Sequence, residues 1–415
     1  MDAALQSRCD DLARGIERLK LLSAHDALIL LRSSFSAPKL LHTLRSSPCA
    51  EHPTLTTFDL LQKSGISHIT NSALSDTQWL QASLPVRDGG LGIRRVASLA
   101  PSAFLASAAS TQDLQNLILA GCSAPNDSAL DAVRAMWFSL HNIPCPQHPA
   151  SLRQASWDKP AITADSAIVL TATIDSHDRA RLLASMAPHS GDWLHALPIS
   201  SCGLRLDDEA IRVAVGLRLG INLCQPHQCP CGTLVDARGT HGLACRRSSG
   251  RMARHHNIND LIYRGLIRAG VPSTKEPSGL SRTDGKRPDG LTLIPWQCGK
   301  SLIWDVTVAD TLAASHLATT SVKAGSAADS AAVKKDAKYA DLARTYHFVP
   351  IACETLGPLN STAINFLSDL GKRIAAVSGD SREGCFLFQR VSIALQRFNS
   401  VCFQGSFISL SDTEG

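Results

Sequence analysis

The chain has 415 residues, of which 44% are hydrophobic and 19% charged, enough apolar material for buried cores in two or three domains. Its net charge of +5 is too small to argue by itself for a polyanionic partner. No apolar run reaches the length of a membrane span and the N-terminus is charged and amphipathic, so no membrane-spanning helix is expected, and a soluble intracellular protein without a membrane partner is the expectation.

Residues 1–215 are expected to be mostly helical. Apolar residues recur at helical spacing in Leu28-Ile29-Leu30-Leu31, Leu40-Leu41-Leu44 and Leu114-Leu117-Ile118-Leu119. Pro38 suits the start of the second of these helices. Gly89-Gly90 and Gly92 mark a tight turn before an Ala/Ser-rich helical stretch, Pro101 to Ala109. Two acidic pairs, Asp10-Asp11 and Asp207-Asp208, precede helix-like segments and suit helix N-termini.

Residues 216–250 hold a local cysteine–histidine cluster. The 13 cysteines are odd in number and no secretory signal accompanies them, which argues against a disulfide framework. Cys229, Cys231, His241 and Cys245 read C-x-C, nine residues, then H-x3-C. Three thiolates and one imidazole suit tetrahedral Zn2+, and Pro230 and Gly232 favour the turn that brings the first pair to one ion. Cys224 or His227 can stand in for a ligand, and a set of buried thiols beside a surface histidine is the plainer alternative. Arg246, Arg247, Arg251 and Arg254 follow within nine residues, then His255, a cationic stretch suited to phosphate contacts or to a solvated helix start.

Residues 251–415 change character to α/β. A helix from Ile258 to Ala269 stops at Gly270 and Pro272. Strands are expected at Leu291–Ile294, Leu302–Val308 and Phe348–Ala352, a long helix from Ser326 to Thr345, and two closing helices from Ser361 to Val377 and Glu383 to Phe398. That order describes one small mixed sheet flanked by helices.

Within it, Pro288-Asp289 is followed after fifteen residues by Asp305. Two carboxylates on adjacent strands supply hard oxygens for Mg2+ (or Mn2+), as phosphodiester hydrolysis requires. Asp289 alone is an ordinary Pro-Asp-Gly turn residue. Asp305 is a charge inside the apolar strand IWDVTV, a costly position unless the carboxylate is paired or binds metal. Glu276 is either a third acid or a surface residue.

The pattern resembles the PD-(D/E)xK nuclease fold, in which a lysine follows two residues after the second acid. Thr307 occupies that position here. Some members of the fold carry the lysine on the next helix, where this chain has AAVKKDAKYADL. Lys338 is the favoured candidate and Lys335, three residues earlier on the same helix face, the alternative.

Taken with the knuckle and the Arg-His helix start, RPD, Asp305 and the Lys-Tyr helix resemble the C-terminal restriction-like endonuclease of non-LTR retrotransposons, over about the last 190 residues. LLRSSFSAPKLLHTLRSSPC and LPVRDGGLGIRRVASLAPSAFLASAAS resemble the reverse transcriptase thumb and linker of such elements. The resemblance implies a nuclease that acts in the nucleus after synthesis in the cytoplasm. It nicks target DNA, and the 3′-hydroxyl so released primes reverse transcription of the element RNA by a full-length reverse transcriptase. Asp289 and Asp305 would bind the divalent metal, Lys338 would assist at the phosphate and the knuckle would grip nucleic acid. An aromatic-x-Asp-Asp polymerase turn is absent from the sequence, so a truncated element product is expected. A non-catalytic nucleic-acid-binding remnant is the rival.

Overall fold

The computed structural model describes residues 1–119, 127–280 and 287–408. It has two compact units, Met1–Pro85 with Gly90–Ala172, and Val86–Gly89 with Thr173–Gly415. The first is helical: α1 (Asp2–Leu19), α2 (Ala24–Leu30), α3 (Ala37–Ser46), α4 (Pro53–Ile69), α5 (Asp76–Ser83), α6 (Val96–Ile118), α7 (Ser128–His141) and α8 (Gln154–Ala172). Pro38 lies in the first turn of α3, where a missing N–H is tolerated. Gly90 sits in a turn so tight that a Cβ would stand 2.0 Å from the Leu84 carbonyl oxygen. Buried Asp59 reaches across to the start of α6 and accepts from the amides of Val96 (2.7 Å) and Ala97 (3.2 Å), two donors the helix itself cannot pair. Asp10-Asp11 lie inside α1 and not before a helix, where Asp11 pairs with Arg8 and Arg14 on the exposed face. That corrects the reading of this pair as N-terminal charges. Asp207 does cap a helix, accepting from Ala210 at 2.7 Å.

The second unit is mixed α/β. Helices α9 (Ser176–Met186) and α10 (Asp208–Leu219) lead to a hairpin of β1 (His227–Gln228) and β2 (Leu234–Val235). Next come α11 (Gly250–Arg268), β3 (Ser273–Lys275), β4 (Gly290–Gln297), β5 (Lys300–Ala309), α12 (Ala314–Thr320) and α13 (Ser326–Lys338). The chain closes with α14 (Leu342–Thr345), β6 (His347–Glu354), α15 (Ser361–Ser378) and α16 (Glu383–Gln404). The four-stranded sheet has the order β3-β4-β5-β6; β5 and β6 run parallel, joined by the helical crossover, and the other pairs are antiparallel. The helix expected from Ser326 to Thr345 ends at Lys338 and resumes only as the short α14.

Alternation along β5 sorts its side chains. Leu302, Trp304 and Val306 enter a core with Ile258, Ile262 and Leu266 of α11, Leu367 and Leu370 of α15 and Leu395 of α16. Asp305 points to the other face, where Ala328 and Ala332 of α13 pack on Ala352 of β6. Small side chains there let α13 lie close to the sheet. Residues 173–215, expected to belong with the first half, fold with this unit because Ala184, Val213 and Leu217 share a cluster with Leu223, Leu243, Cys402 and Phe403. No helix among the described residues is long and apolar enough to cross a membrane.

Candidate metal centre and acidic site

The β1–β2 hairpin brings the four expected ligands together. Cys229 Sγ lies 3.7 Å from Cys245 Sγ, Cys231 Sγ lies 3.2 Å from His241 Nε2, and the four ligand atoms all fall within 4.8 Å of one another. The turn closes through Gly232 N–H to the Cys229 carbonyl at 2.8 Å, with Gly232 at φ 91, a left-handed value that glycine adopts without strain. At the other end Cys245 N–H bonds the His241 carbonyl at 3.0 Å. Burial pushes the Cys229 thiol above its ordinary pKa, whereas the hydroxyl and amide of Thr233 hold Cys231 below it. This Cys3His set can hold a metal such as zinc. The stand-in ligands stay outside it. The Cys224 thiol donates to the carbonyls of Asp236 and Ala237, while His227 stacks on Phe407 with ring centroids 4.1 Å apart and meets Ser406 Oγ at 3.1 Å.

Asp289 sits one residue before β4, and Gly290 pairs with Trp304 across the ladder. Gly290 is forced: a Cβ there would stand 2.0 Å from the Trp304 ring, whose indole N–H bonds Asn259 Oδ1 of α11 at 2.8 Å. This packing anchors the strand end from which Asp289 projects. Asp289 Oδ2 accepts from Val306 N–H at 2.6 Å, and Oδ1 lies 3.3 Å from His255 Nε2. The hydrogen bond to Asp289 raises the His255 pKa above its ordinary value against the opposing effect of burial, with Asp305 adding to the rise and Lys335 opposing it. His255 therefore senses both acids, although it belongs to α11 on the far side of the sheet from α13.

Asp305 is buried, its side chain 4% exposed. Lys335 Nζ pairs with its Oδ1, and the Tyr339 hydroxyl donates to Oδ2 at 2.6 Å. Lys335, the alternative of the two candidate lysines, meets the acid directly, while the favoured Lys338 donates to the Tyr339 hydroxyl at 2.8 Å and lies over its ring. Helix phase explains this. Ala328, Ala332, Lys335 and Tyr339 follow at intervals of four, three and four residues and form one stripe facing the sheet, which Lys338 does not join. Tyr339 is 1% exposed, and its link to Asp305 was not read from the sequence.

Glu276 lies beside Asp289 through the backbone and is half exposed. Its carboxylate pairs with Arg287, although its amide bonds the Asp289 carbonyl at 2.9 Å. Among the described residues, the acids form no three-ligand group comparable with the Cys3His cluster.

Of the expected cationic contacts, Arg246 is exposed; Arg247 and Arg251 are exposed but brace the knuckle through the carbonyls of Pro230 and Ala244. Arg254 is corrected outright: it is 2% exposed and bonds Asn399 Oδ1 and the Leu243 carbonyl, so no phosphate can reach it. It stands four residues before Ile258 on the buried stripe of α11, a position visible in the spacing.

No protein-family model matches the chain, and no curated protein matches it.

Proposed function

We propose that the chain is a metal-dependent DNA endonuclease of PD-(D/E)xK type, derived from a non-LTR retrotransposon, which nicks target DNA to expose a priming 3′-hydroxyl. The observation that carries this reading is the pairing of buried Asp305 with Lys335 and Tyr339 beside Asp289 at the neighbouring strand end. A carboxylate inside a strand is costly unless it is paired or holds a metal, and a lysine beside it is a cation suited to the negative charge of a phosphate. Among the described residues each oxygen of Asp289 and Asp305 meets one protein nitrogen or hydroxyl, which leaves lone pairs for an ion such as Mg2+ or Mn2+.

Such an ion, when bound, polarises a phosphate oxygen and acidifies its water. Asp289 and Asp305 would hold it. Lys335 would meet the negative charge that grows on the phosphate, a role Thr307 lacks the charge to fill. Tyr339 would orient Asp305, and His255 would orient Asp289. The knuckle, with Arg246 exposed beside it, would grip nucleic acid, with element RNA and a full-length reverse transcriptase as further partners in the nucleus.

The test is relaxation of supercoiled plasmid by the full chain in Mg2+, with the nicked product probed by a DNA polymerase that extends only 3′-hydroxyl ends. Open circles that are extended support the proposal. Intact plasmid across Mg2+ and Mn2+, from protein with its knuckle metal loaded, would remove it.

A further inference from the structure

Glu354, the last residue of β6, is 0% exposed. Its Oε1 accepts from the amides of Ala327 (3.0 Å) and Ala328 (3.4 Å), in the first turn of α13. These amides have no partner within the helix, so a carboxylate from the sheet supplies what the helix lacks. The start of α13 has no side-chain cap of its own, since Gly325 precedes it.

The lengths match. Asp305 pairs with Pro350 on β6, and Glu354 lies four residues further along the same strand, about 13 Å at strand rise. Ala327 to Lys335 is eight residues of helix, about 12 Å at helical rise. Strand and helix run in opposite senses between these points. Alpha-13 is therefore pinned to the sheet at both ends, by Glu354 at its start and by Asp305 at its last turns, with Ala328, Ala332 and Ala352 packed between. The axial position of Lys335 is set by where Glu354 holds the first turn.

We propose that Glu354 is a positioning residue, which fixes α13 along the sheet so that Lys335 and Tyr339 meet Asp305. Its effect on nicking rests on the endonuclease reading; its effect on Lys335 does not. Glutamine keeps an acceptor oxygen at the same reach from the backbone, so it is a close substitute for the bonds to Ala327 and Ala328.

The experiment compares wild type, Glu354→Ala, Glu354→Gln and Glu354→Asp as full chains. Aspartate keeps the charge but withdraws the oxygens by one methylene. Two readouts are independent of activity: amide exchange over 327–335, and the rate at which an amine-acylating reagent labels Lys335, read by mass spectrometry. Glu354→Ala and Glu354→Asp are expected to raise both severalfold, and Glu354→Gln to stay near wild type. In plasmid nicking the first two lose about tenfold or more in kcat with KM for DNA unchanged, and Gln restores the rate. If alanine prevents folding, the aspartate variant decides. Wild-type labelling and exchange in a folded Glu354→Asp protein would overturn the proposal. Raised Lys335 labelling in a chain whose wild type nicks no DNA supports the positioning role and removes the endonuclease reading alone.

Discussion

The Tyr339 hydroxyl donates to Asp305 Oδ2 at 2.6 Å, from a ring 1% exposed, while Lys335 one turn earlier holds the other oxygen of the same carboxylate. A charge in the middle of a parallel strand pair is thus clamped by two donors from the crossover helix. Tyr339→Phe removes one donor and keeps the packing. Denaturant unfolding is expected to show a loss of about 1–3 kcal/mol, because a buried carboxylate oxygen is left without its hydroxyl. An unchanged midpoint would mean that the hydroxyl is not needed to hold Asp305.

The two lysines make different contacts, Lys335 with Asp305 and Lys338 with the Tyr339 hydroxyl. On the proposed endonuclease reading, in which the cation paired with Asp305 would meet phosphate charge, Lys335→Ala is expected to slow plasmid nicking by about a hundredfold or more. Lys338→Ala, whose amine rests on the Tyr339 hydroxyl, should lose far less. DNA binding, measured by gel shift, should weaken little in either variant, because one charge contributes a small share of total affinity. A larger nicking defect in Lys338→Ala would reverse the assignment.

How far the sequence reaches is clearest on this helix. Strands β4, β5 and β6 show in their apolar runs, and the four knuckle ligands show in their spacing. Strand β3 is the three residues Ser273–Lys275 and carries no apolar signal; it exists because its amides and carbonyls complete the edge of β4. The end of α13 has no glycine or proline to announce it. Lys335 was nonetheless distinguishable from Lys338, because the alanine stripe marks the sheet-facing edge and extends to Lys335. Arg254 was likewise betrayed by its place on the Ile258–Ile262 stripe. A run of positive charge hides the fact that one of its members faces inward. The salt link of Glu276 with Arg287 joins residues eleven apart, and no periodic pattern in the sequence encodes it.

The knuckle should carry about one zinc per chain by elemental analysis. Cys231→Ser and Cys245→Ser are expected to lose the metal, whereas Cys224→Ser keeps it, since Cys224 bonds backbone carbonyls outside the cluster. Equal metal loss in Cys224→Ser would show that the ligand set is different.

Gly290→Ala would drive a methyl into the Trp304 ring. Overpacking of this kind costs about 1–3 kcal/mol, and the strand end bearing Asp289 must shift to relieve it. The variant should unfold at lower denaturant and show altered Trp304 fluorescence; a wild-type midpoint would mean that the indole has room to move.

In the helical unit, burial raises the Asp59 pKa from 3.8 to about 6, although two amides oppose the rise. The folded form then holds its proton more tightly than the unfolded chain, so stability from this group is present at low pH and falls as pH climbs from about 4 to about 6. Comparing wild type with Asp59→Asn by urea unfolding over that window should show wild type losing ground as pH rises. Parallel curves would show that Asp59 titrates normally.

The most direct measurement of the central claim is the nicking rate of supercoiled plasmid by wild type and Asp305→Asn, in Mg2+ and with zinc loaded in both. Asparagine keeps the shape of the buried side chain and removes the charge that would hold the ion. The expected result is Mg2+-dependent nicking by wild type and a loss of about a hundredfold or more in the variant, with matched folding by circular dichroism. Equal rates in the two folded proteins would contradict the account.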